Sequence, residues 1–301
     1  MGRSVSRRVL GVVAVLAFGA ALAGSSAAAQ STPVPQATAA GQAAPAGQSA
    51  PAAAGQGQVT IEWFGWSHYR LTSPTGKIIL TNPFTSNPDS PIKAEDVQQA
   101  DLIVVADGHG DEVGSTVQIA NQTGAKVLAP GGVNSWLVEQ GVPREQVPKP
   151  FFQPGDRYID LPGITVRSVE SVHGSELAPP SPTVPYGGVA AGYFITFENG
   201  FTIYFSGSSA ATAEQGLWAQ MYKPDLAIVH MGADTEPIDF AEQVKLLKTD
   251  NPKLKTILPH HNRVTPPSGQ TTVAEVQAAM DSLGLGLPVT QQPLGQPVLY
   301  P

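Results

Sequence analysis

The chain has 301 residues, of which 17 are Lys or Arg, 24 are Asp or Glu and none is Cys. Without cysteine, the protein cannot form a disulfide scaffold, a cysteine-ligated zinc site, a thiol nucleophile or an iron–sulfur cluster. The formal net charge of -7 at pH 7 argues against a nucleic-acid partner, because binding to phosphates requires a basic surface.

The N-terminus has the pattern of an export signal. Three arginines precede an apolar run from Val9 to Gly24, and the small residues Ala27 to Ala29 offer a cleavage site. This order predicts a signal peptide over residues 1–29. The pair Arg7 and Arg8 is similar to a twin-arginine signal. We therefore expect a periplasmic or extracellular protein with no stable membrane insertion after the signal is cleaved. The alternative is that the apolar run stays uncleaved as a membrane anchor.

Residues 30–58 contain only Gln, Ser, Thr, Pro, Ala, Gly and one Val. Such a segment cannot bury enough apolar surface to offset the entropy lost on ordering, so we predict a disordered linker. The remaining residues, 59–301, have the length of one domain.

From residue 59 the hydrophobic pattern predicts strands that alternate with helices. Alternating or continuous apolar runs predict strands over 59–64, 69–71, 77–80, 102–106, 126–129, 164–169, 192–197, 201–205, 226–229 and 256–258. Helical periods predict helices over 115–123, 239–248 and 273–283. Strands and helices mixed in this order indicate a layered α/β domain.

Polar side chains with ligand or acid–base chemistry follow five of these strands. Ligand sites of α/β sheets gather at the carboxyl ends of strands, so these loops are expected to converge. The residues concerned are Asp107, His109, Asp111, Glu112, His173, Ser206 to Ser209, His230, Asp234, His260 and His261.

Several segments carry a resemblance to a known family. They are Trp63 to Ser67, Thr81 to Phe84, Ala106 to Gly114, Gly187 to Phe194, Tyr204 to Ser209 and Leu258 to His261. In this order they resemble the metallo-β-lactamase-fold hydrolases, and most nearly their ascorbate-phosphate-lactonase-like branch. The resemblance spans 59–301 and implies a four-layer αβ/βα sandwich, with one or two metal ions at the edge where two sheets meet.

The signature loop of that family, His-x-His-x-Asp-His, is only partly retained. His109 and Asp111 keep the second histidine and the aspartate. Asp107 and Glu112 stand in place of the first and last histidines.

The other family positions are also divided between retained and replaced residues. His173 and His261 keep two ligand histidines, whereas Ser208 replaces the bridging aspartate. Two supporting positions carry Asn82 in place of aspartate and Trp66 in place of histidine. The resemblance therefore implies the family scaffold with an altered metal motif.

The resemblance implies six metal ligands in two groups of three. Carboxylates in place of imidazoles make the set harder, which favours iron(II) or manganese over zinc, although all three ions remain candidates. Because Ser208 cannot bridge two ions, we expect one divalent ion rather than a coupled pair. The groups are Asp107, His109 and His173, and Asp111, Glu112 and His261.

The leading hypothesis is a metal-dependent hydrolase that cleaves an ester, lactone or amide of a small-molecule substrate. A metal-activated water attacks the carbonyl, and Asp111 positions that water or takes its proton. The alternative is a non-catalytic binding module that kept the sandwich and lost the metal centre, which the replacement at Ser208 favours. Acidic residues at both replaced histidines argue for retained chemistry.

Other polar residues near strand ends have more than one interpretation. Ser208, activated by His173, is a candidate nucleophile, but no Gly-x-Ser-x-Gly elbow is present. His230 is interpreted as a packed histidine and His260 as a supporting residue.

Four residues are candidates for the substrate pocket. Trp66 is placed to stack on a bound ring, and Ser208 and Asp234 fall near the expected pocket. Arg263, the basic residue nearest His261 in sequence, is a candidate for holding a substrate anion.

Overall fold

Two six-stranded β-sheets form the centre of the computed structural model, which describes residues 57–177, 181 and 183–301. The family-like domain predicted from residue 59 onward lies almost wholly within this range. The predicted signal peptide over 1–29 and the predicted linker as far as residue 56 lie outside the described residues. Among the described residues, no helix is both long and apolar enough to cross a bilayer.

The first sheet combines an antiparallel and a parallel half. β1, β2 and β3 are antiparallel, and β3, β4 and β5 are parallel. In spatial order its strands are β12 (Val298–Tyr300), β1 (Val59–Trp63), β2 (Tyr69–Thr72), β3 (Ile78–Thr81), β4 (Leu102–Val104) and β5 (Lys126–Leu128).

The second sheet has the same mixture. β9, β10 and β11 are parallel, while β8 is antiparallel to both β7 and β9, so β7 runs in the direction of β9. In spatial order its strands are β11 (Thr256–His260), β10 (Leu226–His230), β9 (Thr202–Phe205), β8 (Ala191–Thr196), β7 (Thr165–Glu170) and β6 (Arg157–Tyr158).

In the described part of the chain, six α-helices follow the strands and lie outside the two sheets. They are α1 (Gly110–Val113), α2 (Thr116–Thr123), α3 (Gly131–Glu139), α4 (Ala213–Tyr222), α5 (Pro237–Lys248) and α6 (Val273–Ser282). The first three follow strands of the first sheet, and α2 and α3 share an apolar cluster with its outer face. The last three share a cluster with the outer face of the second sheet.

The main core lies between the two sheets. Successive residues of a strand point to opposite faces, so Ile79 and Leu102 pack inward whereas Leu80 and Ile103 pack outward against helices. The result is a four-layer αβ/βα sandwich, as the family resemblance implied.

All ten predicted strands and all three predicted helices are present, with ends that differ by one or two residues. The sequence prediction missed β6 and β12, which are edge strands of two and three residues, and the helices α1, α3 and α4. For α3 the reason is local, because it begins with Gly131 and Gly132, and glycine is unfavourable in helices. The packing nevertheless requires glycine at position 132, because a Cβ on Gly132 would lie 2.1 Å from the carbonyl oxygen of Tyr186.

Candidate metal centre

The candidate site lies where strand ends of the two sheets meet. The loop 107–112 follows β4 of the first sheet, whereas His173, His230 and His261 follow or end β7, β10 and β11 of the second. Asn82, just after β3, accepts a 2.9 Å hydrogen bond from the backbone N–H of Ala106 and so fixes the start of the loop. Ligand-type side chains separated widely in sequence therefore reach one edge of the sandwich.

The first group of three is Asp107, His109 and His173, whose ligand atoms all lie within 4.8 Å of one another. Asp107 is fully buried, and its Oδ1 accepts from the backbone N–H of His109 at 3.0 Å. The rings of His109 and His173 meet edge to face, 5.0 Å between centroids. The Nε2 of His109 lies 3.0 Å from Oε2 of Glu176. Glu176 is a supporting residue that the sequence analysis did not identify.

The second group is Asp111, Glu112 and His261, again with ligand atoms within 4.8 Å of one another. The Nε2 of His261 lies 3.1 Å from Asp111 Oδ2 and 3.4 Å from Glu112 Oε1. The indole N–H of Trp66 donates to Asp111 Oδ2 at 3.0 Å, and the Trp66 ring lies 4.8 Å from that of His261. Trp66 is therefore a direct neighbour of this group.

A buried network of serine and histidine side chains holds the carboxyl group of Glu112 in place. Ser67 and Ser208 both donate to Glu112 Oε1, at 3.0 and 3.2 Å. The ring of His260 is fully buried and lies 3.1 Å from the hydroxyls of both Ser67 and Ser206. His260 thus joins the two sheets beneath the site, which agrees with its interpretation as a supporting residue. Ser206 was noted in the sequence only as part of the loop after β9.

Burial dominates the protonation of the two most enclosed carboxyls. Burial raises the pKa of Glu112 and of Asp107 well above ordinary carboxyl values, and the nearby acids add to the shift at both positions. Burial also acts to raise the pKa of Asp111, but the hydrogen bond and charge of His261, with the N–H of Trp66, lower it to about 2. The pKa of His261 is raised in turn, because the two carboxylates outweigh the effect of its burial.

Backbone strain is concentrated at the site. Trp66, Asn82 and His261 have φ angles of 54°, 35° and 63°, which lie in the left-handed region that side chains other than glycine rarely adopt. Strain of this kind persists where the surrounding structure over-determines it, and it clusters at functional sites.

The two groups of three fit a divalent cation. Asp107 Oδ2, Glu112 Oε2 and His261 Nδ1 are buried and have no hydrogen-bond partner among the residues that the structure describes. Buried polar atoms in native proteins are normally paired, and three carboxylates this close to one another repel when ionised. A cation would satisfy the free carboxylate oxygens and compensate the negative charge, and the mixed oxygen and nitrogen donors suit zinc, iron or manganese.

The remaining predicted pocket residues divide into two kinds. Trp66 and Ser208 contact the second group, as described above. Arg263 instead pairs with Asp89, its Nε donating at 2.8 Å and its Nη2 at 3.3 Å, so its guanidinium is held by a carboxylate of the protein. Asp234 is exposed and makes no hydrogen bond or ion pair with a residue of the two groups in the described part of the chain.

Comparison with known proteins identifies the family. A family model of the beta-lactamase superfamily domain matches residues 77–278. The chain belongs to the beta-lactamase superfamily.

Relatives of this superfamily domain include curated metal-dependent hydrolases. The chain is 32% identical over 254 residues to a UPF0173 metal-dependent hydrolase of Cupriavidus taiwanensis, covering 80% of this chain and 86% of that protein. It is 31% identical over 194 residues to one of Rubrobacter xylanophilus, covering 64% and 78%. Its fold is similar to that of Igni18, a metallo hydrolase of Ignicoccus hospitalis, with a TM-score of 0.67 at 23% identity, covering 81% and 99% of the two chains.

Membership of the beta-lactamase superfamily confirms the resemblance to metallo-β-lactamase-fold hydrolases and the fold class that this resemblance implied. It also confirms the interpretation of the chain as a metallo-hydrolase enzyme, at the level of the family. The names of the relatives specify metal dependence and hydrolysis, and they specify neither the ion nor the substrate.

Proposed function

We propose that this protein is an exported metal-dependent hydrolase that cleaves an ester, lactone or amide of a small molecule. The observation that carries the proposal is the pair of ligand groups at the sheet edge, where buried carboxylate oxygens of Asp107 and Glu112 lack a hydrogen-bond partner among residues 57–177, 181 and 183–301. We further propose that these groups hold one ion rather than a tightly coupled pair, because Ser208 offers a hydroxyl where a bridging carboxylate would be needed.

The residues of the two groups have distinct roles in this proposal. Asp107, His109 and His173 would hold a divalent cation, and Asp111, Glu112 and His261 form the adjoining donor set. When bound, the cation supplies Lewis acidity for a substrate carbonyl and lowers the pKa of a bound water.

Asp111 orients the attacking water. Its pKa of about 2 keeps the carboxylate ionised at neutral pH, so it accepts a hydrogen bond from the water. The same low pKa makes it a weak store for the proton, because a general base works best with a pKa near the working pH. Of the two roles considered from the sequence, positioning is thus favoured over proton abstraction.

Support for export comes from the pattern of residues 1–29. A basic start, a short apolar run and small residues before position 30 are the features of a secretory signal. Cell fractionation and mass spectrometry of the mature N-terminus test this. An intact residue 1 in cytoplasmic protein would contradict export.

The proposal is tested by metal analysis of the mature protein, purified without chelators or nickel resin. We expect about one equivalent of zinc, iron or manganese, which the double variant His109→Ala/His173→Ala loses because imidazole ligands are removed. The control Asp234→Asn, an exposed carboxylate outside both groups, keeps the ion.

Absence of metal, even after incubation with each of the three ions, would contradict the metal-dependent mechanism. That result would favour the alternative, a binding module that kept the sandwich and lost the metal centre. Bound metal would justify a screen of ester, lactone and amide substrates.

A further inference from the structure

A cavity of about 160 Å³ lies beside the two ligand groups, and the proposed chemistry leaves it unassigned. Its lining includes His173 of the first ligand group, Ser208 and His230, together with Asp239 and Gln243 of α5. At about 30 Å³ per molecule of liquid water, it has room for about five waters or one short substituent.

The side of the cavity formed by α5 contains a buried donor without a partner. Gln243 is 1% exposed, and its Nε2 makes no hydrogen bond within the described part of the chain. Its Oε1 is engaged, since it accepts from Gln215 Nε2 at 2.9 Å. A buried amide N–H left unpaired is unfavourable, so the NH2 group of Gln243 is available to a group that enters the cavity.

The orientation of this amide follows from a backbone group. The backbone N–H of Thr212 donates to Gln215 Oε1 at 3.2 Å, and a backbone N–H can act only as a donor. The other end of the Gln215 amide is therefore its NH2 group, so the atom of Gln243 that faces it must be the oxygen. The free end of Gln243 is consequently a donor and not an acceptor.

His230 connects the cavity to both ligand groups. Its ring centroid lies 5.0 Å from that of His261 and 6.2 Å from that of His173. The ring packs closely over Gly232, where an added Cβ would lie 2.9 Å from Nε2. Ser206 holds the strand end by accepting from the His230 backbone N–H at 3.0 Å. His173 belongs to the first ligand group and itself lines the cavity, so a molecule bound at the metal centre lies next to the cavity.

We propose that the cavity is a substrate subsite that receives an uncharged, hydroxyl-bearing substituent of the substrate. The inference rests on the proposed function and deepens it by naming the substrate class. A hydroxyl accepts from the Gln243 amide and can donate to Asp239, which lies at the exposed side. A methyl group does neither, and a carboxylate would meet the like charge of Asp239 with no Lys or Arg among the described lining residues.

A binding experiment tests the subsite without reference to catalysis. The full chain, isotopically labelled with nitrogen-15, is titrated with 3-hydroxypropanamide and, separately, with butanamide, in which a methyl group replaces the hydroxyl. The side-chain amide signals of Gln243 are assigned by their disappearance in Gln243→Leu. We expect these signals to shift saturably with the hydroxyl compound and to stay fixed with butanamide. Signals unmoved by both compounds would overturn the subsite.

A kinetic experiment tests its role in selecting substrates. The protein loaded with the ion that metal analysis finds is compared on ethyl 3-hydroxypropanoate, ethyl butanoate and monoethyl succinate. We expect kcat/KM for the hydroxyl ester to exceed that for each of the others about tenfold, because one buried hydrogen bond is gained. Gln243→Leu removes this preference, whereas Gln220→Leu, an exposed position on α4, keeps it. A preference that persists in Gln243→Leu would overturn the assignment.

The two experiments separate failure of the subsite from failure of the proposed function. A saturable shift of the Gln243 signals without hydrolysis of any ester supports the subsite and counts against ester hydrolysis. Hydrolysis without preference and without a shift supports the proposed function and overturns the subsite. The titration uses the unsubstituted protein, so its result is valid even if the Gln243→Leu variant fails to fold. In that case the Gln243 signals are assigned by sequential NMR assignment of the unsubstituted protein.

Discussion

At the scale of single residues, the neighbours of Asp111 keep its carboxylate ionised and hold it in one orientation. The imidazole of His261 and the indole N–H of Trp66 both contact its Oδ2, at 3.1 and 3.0 Å. A carboxylate held by two donors presents a fixed acceptor, which is what the orientation of an attacking water requires.

This arrangement predicts the effect of Asp111→Asn. The amide keeps the size of the side chain but replaces one acceptor oxygen with a donor, so the attacking water loses its fixed acceptor and we expect turnover of a hydrolysed substrate to fall about 10²-fold. Thermal unfolding should show a folded protein. The exposed Asp281→Asn, on α6, serves as the control and should retain full turnover. Unchanged turnover in Asp111→Asn would remove Asp111 from the mechanism.

At the scale of elements, a glycine in a turn and a glycine in a helix differ in whether the backbone conformation requires glycine. Gly76, in the turn between β2 and β3, has a φ of 85° and an open space around the position of a Cβ. Gly216 lies inside α4, where an added Cβ would make only ordinary contacts, the nearest at 3.6 Å from Leu246.

These two glycines predict opposite responses to alanine. Gly76→Ala should lower the free energy of unfolding by about 1 kcal/mol, because alanine is strained at positive φ. Gly216→Ala should raise it by up to about 1 kcal/mol, because alanine is the better helix former. Denaturant unfolding of both variants measures the two shifts, and a loss of stability in Gly216→Ala would show that α4 is packed more tightly than its contacts indicate.

At the scale of the whole molecule, the site stores unfavourable electrostatic free energy until a cation binds. The pKa values of Asp107 and Glu112 are raised by burial, so the folded state binds protons more tightly there than the unfolded chain does. Their contribution favours folding below the ordinary carboxyl pKa of about 4 and is lost as the pH rises above it. Buried histidines such as His230, with a pKa lowered to about 3, act in the opposite direction below about pH 6.5.

A comparison with Glu112→Gln isolates the carboxyl contribution, because the histidines are common to both proteins. In metal-free protein, we expect the stability of the variant relative to the unsubstituted chain to increase between about pH 5 and pH 8. Glu95→Gln, at an exposed position, should show no such trend. Adding zinc should raise the melting temperature of the unsubstituted protein more at the higher pH. Parallel pH profiles for the two proteins would contradict a buried Glu112 with a raised pKa.

The sequence by itself determined the layered fold and the chemical types in the site. Apolar alternation records which face of a strand is buried, so every strand of the sandwich other than the two short edge strands could be predicted. The residues Asp107, His109 and His173 could be singled out because ligand-type side chains follow strand ends. The helices α3 and α4 could not be predicted, since their glycines oppose the local propensity and only packing against a sheet stabilises them.

Only the tertiary structure decided which of these residues meet. Ser67 and His260 are 193 residues apart and belong to different sheets, yet their side chains share a hydrogen bond beneath the site. Arg263, near His261 in sequence, is turned to Asp89 instead of the site. Local patterns encode burial and propensity, whereas the packing of the two sheets sets distances across the sandwich, the burial of Glu112 and hence its protonation.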